Sequence, residues 1–130
     1  MTITEFTDYL IEEYISKCEV SVDKANETKR VITVGLIMNN QLEKRDAARI
    51  IHFFLRYTHI EEDEPDWEKA KILKDLYDCR ICVDHVGQIY VKGIIEPYSQ
   101  DIFGMRNIIS SEESKKIVAK IFEKNQRILP

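Results

Sequence analysis

The sequence predicts an all-α fold of about six helices. Three observations carry this expectation. Apolar residues recur at i, i+3, i+4 and i+7 through most of the chain. Helix start and stop signals alternate in order along it. The 130 residues contain only 4 Gly and 3 Pro, too few turn residues for a β-sandwich or barrel. Hydrophobic residues at 44% suffice for a core, which excludes a disordered chain, and charged residues at 32% predict a well-solvated surface. No apolar run approaches the ~18 residues of a membrane span. The length fits one domain, 1–130, with no linker dividing it.

The first helix is expected over 3–16, where Ile3, Phe6, Leu10 and Tyr14 share a face. Thr2 and Glu5 have capping-box spacing at its start. This opening stretch has no secretory-signal pattern, which leads to an expectation of a cytoplasmic location. A second helix runs from about Val22 to Val34 and ends at Gly35. The third, from Leu42 or Glu43 to about Thr58, carries Ala47, Ile50, Ile51 and Phe54 at helical spacing. Phe53, Leu55 and Tyr57 widen that face and predict a central position. The acidic stretch Glu61-Glu-Asp-Glu-Pro-Asp-Trp reads as a solvated loop. A short fourth helix is expected over Trp67–Leu76 and a fifth over Ile81–Lys92, stopping before Gly93. A long loop, Pro97–Asn107, precedes a last helix over Ser111–Lys124. Convincing strand patterns are missing.

The cysteines are Cys18, Cys79 and Cys82. A small odd number argues against a disulfide framework. Cys79, Cys82 and His85 spell C-x-x-C-x-x-H, a partial metal-ligand pattern that would need Cys18, His52, His59 or an acidic group as its fourth ligand. The competing reading makes Cys82 a small buried apolar residue on a helix, with Cys79 near its start. No metal and no cofactor are expected. The histidines lie far apart in sequence, and neither a nucleophile motif nor a glycine-rich phosphate loop is present. The chain is therefore read as non-enzymatic.

An imperfect repeat organises the rest. Val31-Ile-Thr-Val-Gly-Leu-Ile-Met leads through a short loop to Leu42-Glu-Lys-Arg-Asp-Ala-Ala-Arg-Ile-Ile. Ile89-Tyr-Val-Lys-Gly-Ile-Ile-Glu leads through a long one to Ile109-Ser-Ser-Glu-Glu-Ser-Lys-Lys-Ile-Val. Gly35 and Gly93 mark equivalent helix ends, each followed by two aliphatics. Asp46 and Glu113 sit at equivalent helix starts, the second in a capping box with Ser110. Such helix–loop–helix units must stack to bury their apolar faces. The domain therefore reads as an N-terminal helix (1–20), a first repeat (21–58) and a second (66–124).

These residues resemble the S-layer homology family, whose pattern is a helix ending in Gly-Ile-Ile, a loop of the form G-Y-x-D-G-x-F, then I-T-R-A-E opening a long helix. Gly93-Ile94-Ile95, Tyr98, Phe103, Asn107, Ile109, Ser110 and Glu113 fall at matching positions. Leu73-Lys-Asp-Leu76 looks like that family's F-x-D-V. The first copy matches through Gly35-Leu36-Ile37 and Leu42–Ala48. The resemblance implies stacked helical repeats, and a cell-surface role in which the motif arginine contacts an anionic cell-wall polymer. That arginine position holds Lys44 in the first copy and Ser111 in the second, and Gln100-Asp101 stands in place of the loop Asp-Gly. A serine offers no forked cationic contact.

The expected function is thus a protein-interaction or adaptor module on an S-layer-homology-like scaffold, binding another protein or itself. Its contacts are expected through the loop after Gly93 and adjoining helix faces. The candidate binding residues are Lys44, Arg45, Tyr98, Phe103, Met105, Arg106 and Ser111. Gly35, Gly93, Ser110 and Glu113 are structural candidates. Lys44, Arg45 and Arg49 with Arg106, Lys115 and Lys116 form a candidate basic groove, either for an anionic polymer or as solvated faces paired with acids. Tyr98, Ile102, Phe103 and Met105 make the long loop unusually apolar, either as a floor to the repeat or as a contact patch. A cell-wall polysaccharide-binding module is the alternative. A small regulatory DNA-binding protein, using helix 42–57, is the second, although a net charge of −4 argues against nucleic acid.

Overall fold

A computed structural model describes all residues 1–130 and is all-helical. The α-helices are α1 (Ile3–Cys18), α2 (Val22–Ile32), α3 (Lys44–Thr58), α4 (Val83–Val91) and α5 (Ser111–Phe122). No helix is long and apolar enough to cross a membrane. Short 3-10 turns fill Glu68–Ile72, Leu76–Asp78, Arg80–Cys82 and Lys124–Gln126.

Helices α1, α3 and α5 form the centre and start at the same end. Thr2 and Glu5 cap α1 reciprocally, and Ser110 and Glu113 cap α5 in the same way. At α3 the Asp46 carboxylate accepts from the Glu43 N–H. One backbone joint is used twice around these starts. The Leu42 N–H donates to the Met1 carbonyl and the Ile109 N–H to the Leu42 carbonyl, both at 2.9 Å. Ile3 and Thr4 donate to Asn40 and Met38, just as Lys44 and Arg45 donate to Asn107 and Met105. The start of α1 is therefore joined to the start of α3 in the same way as the start of α3 is joined to the start of α5. About three turns further along, Tyr14, Phe54 and Phe122 meet edge to face, at centroid distances of 5.0 and 6.0 Å, so the three helices run parallel.

Helix α3 is central, as its wide apolar face predicts: Ala47, Ala48, Ile50, Ile51, Phe54 and Leu55 are all buried. The expected helix over 67–76 is replaced by two 3-10 turns separated by an extended Leu73 (φ −73°, ψ 113°). There Lys74 leaves the helical pattern and donates its N–H to the Asp101 carbonyl, 2.7 Å away. A long-range backbone bond thus replaces the local one. The ring of Trp67 lies against α4 at Gly87, where a β-carbon would come within 2.9 Å of it.

The two repeat glycines differ. Gly93 (φ +72°) closes α4 in a Schellman motif, with Gly93 N–H to Tyr90 and Ile94 N–H to Ile89. Ile94 and Ile95 then bury, as expected. Helix α2 instead ends at Ile32, so Gly35 (φ +80°) lies in a turn beyond the cap, and Ile37 after it points to solvent. The neighbours of Ile37, Leu36 and Met38, are half-buried and pack against the core, so only one of the two aliphatics after Gly35 turns outward. A β-carbon on Gly93 would meet the Ile128 carbonyl at 2.7 Å. Gly93→Ala is therefore expected to cost about 1–3 kcal/mol in a urea melt and to release the C-terminal tail. An unchanged midpoint would refute that role.

The acidic stretch is less solvated than expected. The Glu61 carboxylate is buried and receives a two-pronged contact from Arg127 (2.7 and 2.9 Å) and a bond from Lys92 Nζ (2.9 Å). Lys92, fully buried, also donates to the Glu62 carbonyl. This cluster ties the loop after α3 to the end of α4 and to the tail.

Candidate functional site

The long loop after Gly93 is held from beneath. The Asp75 carboxylate accepts the backbone N–H groups of Phe103 (2.8 Å), Gly104 (2.9 Å) and Met105 (3.4 Å). Phe103 and Met105 are buried, so both belong to the floor of the repeat and present no contact surface. Tyr98 is exposed at the loop's outer edge. Asp75→Ala removes three charge-assisted bonds and is expected to destabilise the fold by at least about 2 kcal/mol. Hydrogen exchange at residues 98–107 should rise with it; unchanged protection there would contradict the assignment.

Lys44 is also not a free cation. Its side chain is buried, with Nζ donating to the Glu96 (3.0 Å) and Phe103 (2.9 Å) carbonyls, over the Phe103 ring. Burial lowers its pKa, against the pull of Glu113, Asp75 and Glu96. It lines a cleft of about 200 Å³ with Lys116, Lys120, Glu96 and Glu113, where cations and acids alternate. Arg106 lies elsewhere, beside Asp75 and Asp78, and Ser111 is exposed in the first turn of α5. The cations of the expected basic groove are spread over three clefts: Lys44 and Lys116 line one, Arg45 and Arg106 a second, and Arg45 and Arg49 a third.

A larger groove, about 450 Å³, opens between the α2–α3 loop and the turn before α4. Its walls include Arg45, Arg49, Glu43, Asp46 and the Cys79–Cys82 turn. Three isoleucines on its rim are exposed to solvent: Ile37 (68%), Ile81 (74%) and Ile108 (52%). They come from three separate segments, so periodicity within any one of them could not reveal the cluster. Arg45 pairs with Glu43 at 3.2 Å. Arg49 donates to the Val34 carbonyl and stacks over Phe53, leaving its charge without a carboxylate partner.

The cysteines depart from expectation. Cys79 and Cys82 are joined in a disulfide, and Cys18 is free and exposed. The 3-10 turn Arg80–Cys82 brings their α-carbons to 5.2 Å, within bonding reach. His85 faces His52 instead, Nδ1 to Nδ1 at 2.9 Å, in the core. His52 Nε2 lies 2.8 Å from Asp63, which in turn holds Arg56 at 2.7 Å. The network assigns Nε2–H of His52 to Asp63 and Nδ1–H of His85 to His52. Burial lowers both imidazole pKa values, His85 to about 4, with the His52 ring adding to the effect. The hydrogen bond from Arg56, followed by that from His52, holds Asp63 at about 2 against its partial burial. The pairing of positions 52 and 85 is tertiary; the inward helical phase of His52, beside Ile51 and Leu55, is its one sequence signal.

No protein-family model, curated protein or solved structure matches the chain. The internal joint shared by α1, α3 and α5 therefore rests on this molecule's own geometry.

Proposed function

We propose that the chain is a non-enzymatic interaction module whose partner is a protein segment carrying aliphatic side chains and an acidic residue. The observation behind this reading is the convergence of Ile37, Ile81 and Ile108 on one groove. Exposed aliphatics clustered around a concavity favour a partner, whereas scattered ones do not. The unpaired Arg49 at the same groove supplies the charge preference. Ile108 belongs to the loop after Gly93, so the surface keeps part of the region expected from sequence while moving away from Phe103 and Met105.

The test compares partner capture and solution mass for the wild-type chain and an Ile37→Ser/Ile81→Ser variant. Both positions are exposed, so the melting temperature should hold. Capture of a defined partner, lost in the variant and weakened by Arg49→Ala, supports the reading. A strict monomer that captures nothing, or a partner indifferent to all three substitutions, defeats it. Self-association through the same isoleucines would place a second copy in the groove.

A further inference from the structure

We propose that Cys79 and Cys82 form a reversible dithiol–disulfide site that exchanges with a thiol reductant entering the groove beside Arg45 and Arg49. Three features support it independently of the interaction reading. First, the pair is bonded across the four-residue ring Cys79-Arg80-Ile81-Cys82. Second, both cysteines line the 450 Å³ groove and Cys79 also borders the neighbouring cleft, so an incoming thiol reaches the Cys79 side directly. Third, the surroundings favour thiolates. Cys82 is the N-cap of α4, at the positive end of that helix's dipole. Arg45 and Arg49 stand in the same groove with Glu43, which pairs with Arg45, and Asp46, which accepts the Glu43 N–H, while Asp75 and Asp78 border the cleft beside Cys79.

The exchange balances with a dithiol as the co-reactant. One thiolate of the dithiol attacks Sγ of Cys79, forming a mixed disulfide while the Cys79–Cys82 bond breaks. Cys82 leaves as a thiolate and takes up a proton. The second thiolate of the dithiol then attacks its partner sulfur, closes the cyclic disulfide and releases Cys79. Two electrons and two protons pass from the dithiol to the cysteine pair. Stabilising the leaving thiolate accelerates each step, since a leaving thiol of lower pKa departs faster.

The experiment uses the full chain carrying Cys18→Ser, which removes the exposed third thiol. The protein is equilibrated with oxidised glutathione and then treated with dithiothreitol without denaturant. Thiols are trapped with a maleimide and counted by mass. Two thiols should disappear and return reversibly with the melting behaviour intact. Their return should be faster in the folded chain than in urea, and Arg49→Ala or Arg45→Ala should slow it by roughly 5-fold or more. Reduced glutathione in a parallel arm shows whether a monothiol serves as well as a dithiol. A pair that stays reduced under oxidised glutathione would overturn the proposal. So would reduction no faster folded than unfolded, or rates indifferent to both arginines.

Discussion

Replacing Glu61 with alanine should remove about 3–5 kcal/mol of folding stability, the largest loss expected from a single residue here. Glu61 is the shared carboxylate of two buried cations, Lys92 and Arg127. Burial alone would raise its pKa, but the hydrogen bonds from Arg127 and Lys92 hold it at about 2. Without it, Lys92 keeps only the Glu62 carbonyl and a carboxylate at 3.7 Å, that of Glu64. A buried ammonium left that way has lost its closest counter-charge, and the remaining contacts offset only part of the cost of its lost hydration. For a chain of this length the melting temperature should drop by roughly 10–20 °C. Glu61→Gln, which retains the volume and some hydrogen bonding, should lose less. Chemical denaturation decides the point: a loss below about 1 kcal/mol for Glu61→Ala would mean that the cluster is not a stabilising tie. Loss of Arg127 anchoring should also expose residues 127–130 to proteolysis.

Acidification should weaken the fold in two stages. His85 has a folded pKa near 4 against an ordinary 6.5. Above pH 6.5 it is neutral in both states and costs nothing. As pH falls from 6.5 toward 4, the unfolded chain takes up a proton that the folded chain refuses, and stability declines by on the order of 3 kcal/mol. His52, also lowered by burial, acts in the same direction. The groups facing the pair reinforce this: Arg56, Arg49 and Lys92 disfavour a further positive charge, whereas Asp63 and Asp84 offset them in part. The carboxylates follow. Glu61 and Asp63 have folded pKa values lowered to about 2, so their contribution is complete above the unfolded carboxylate range. It is lost as pH falls from about 4.5 through 2. Urea midpoints taken between pH 7.5 and 3 should trace both stages. His85→Gln keeps a donor toward His52 but cannot titrate, so it should flatten the upper stage and leave the lower one. An upper stage undiminished in that variant would show that His85 is not its main source.

These two predictions concern features that sequence reading largely missed, for a physical reason. The acidic run at 61–67 has the composition of a solvated loop, and most of it is exposed. Glu61 turns inward because Lys92 and Arg127 arrive from residues 31 and 66 positions away, and Asp63 reaches in to His52. Local pattern does not record partners at that distance. The same holds for His52 with His85, and for the rim formed by Ile37, Ile81 and Ile108.

What the sequence determined by itself was local. The apolar phase of 3–16, 42–58 and 111–124 dictated which faces go inward, and the Thr2–Glu5 and Ser110–Glu113 spacings dictated where two helices start. Gly93 dictated where α4 ends, because a left-handed residue there satisfies two carbonyls at little steric cost. Each of these depends on residues within one or two turns. Tertiary structure decided the remainder. It broke 67–76 into turns through a bond to Asp101, carried Ile37 outward, buried Lys44 over Phe103, and brought Cys79 and Cys82 together at the wall of a groove. Desolvation and long-range hydrogen bonding set those outcomes. Both depend on which segments become neighbours once the three central helices have packed.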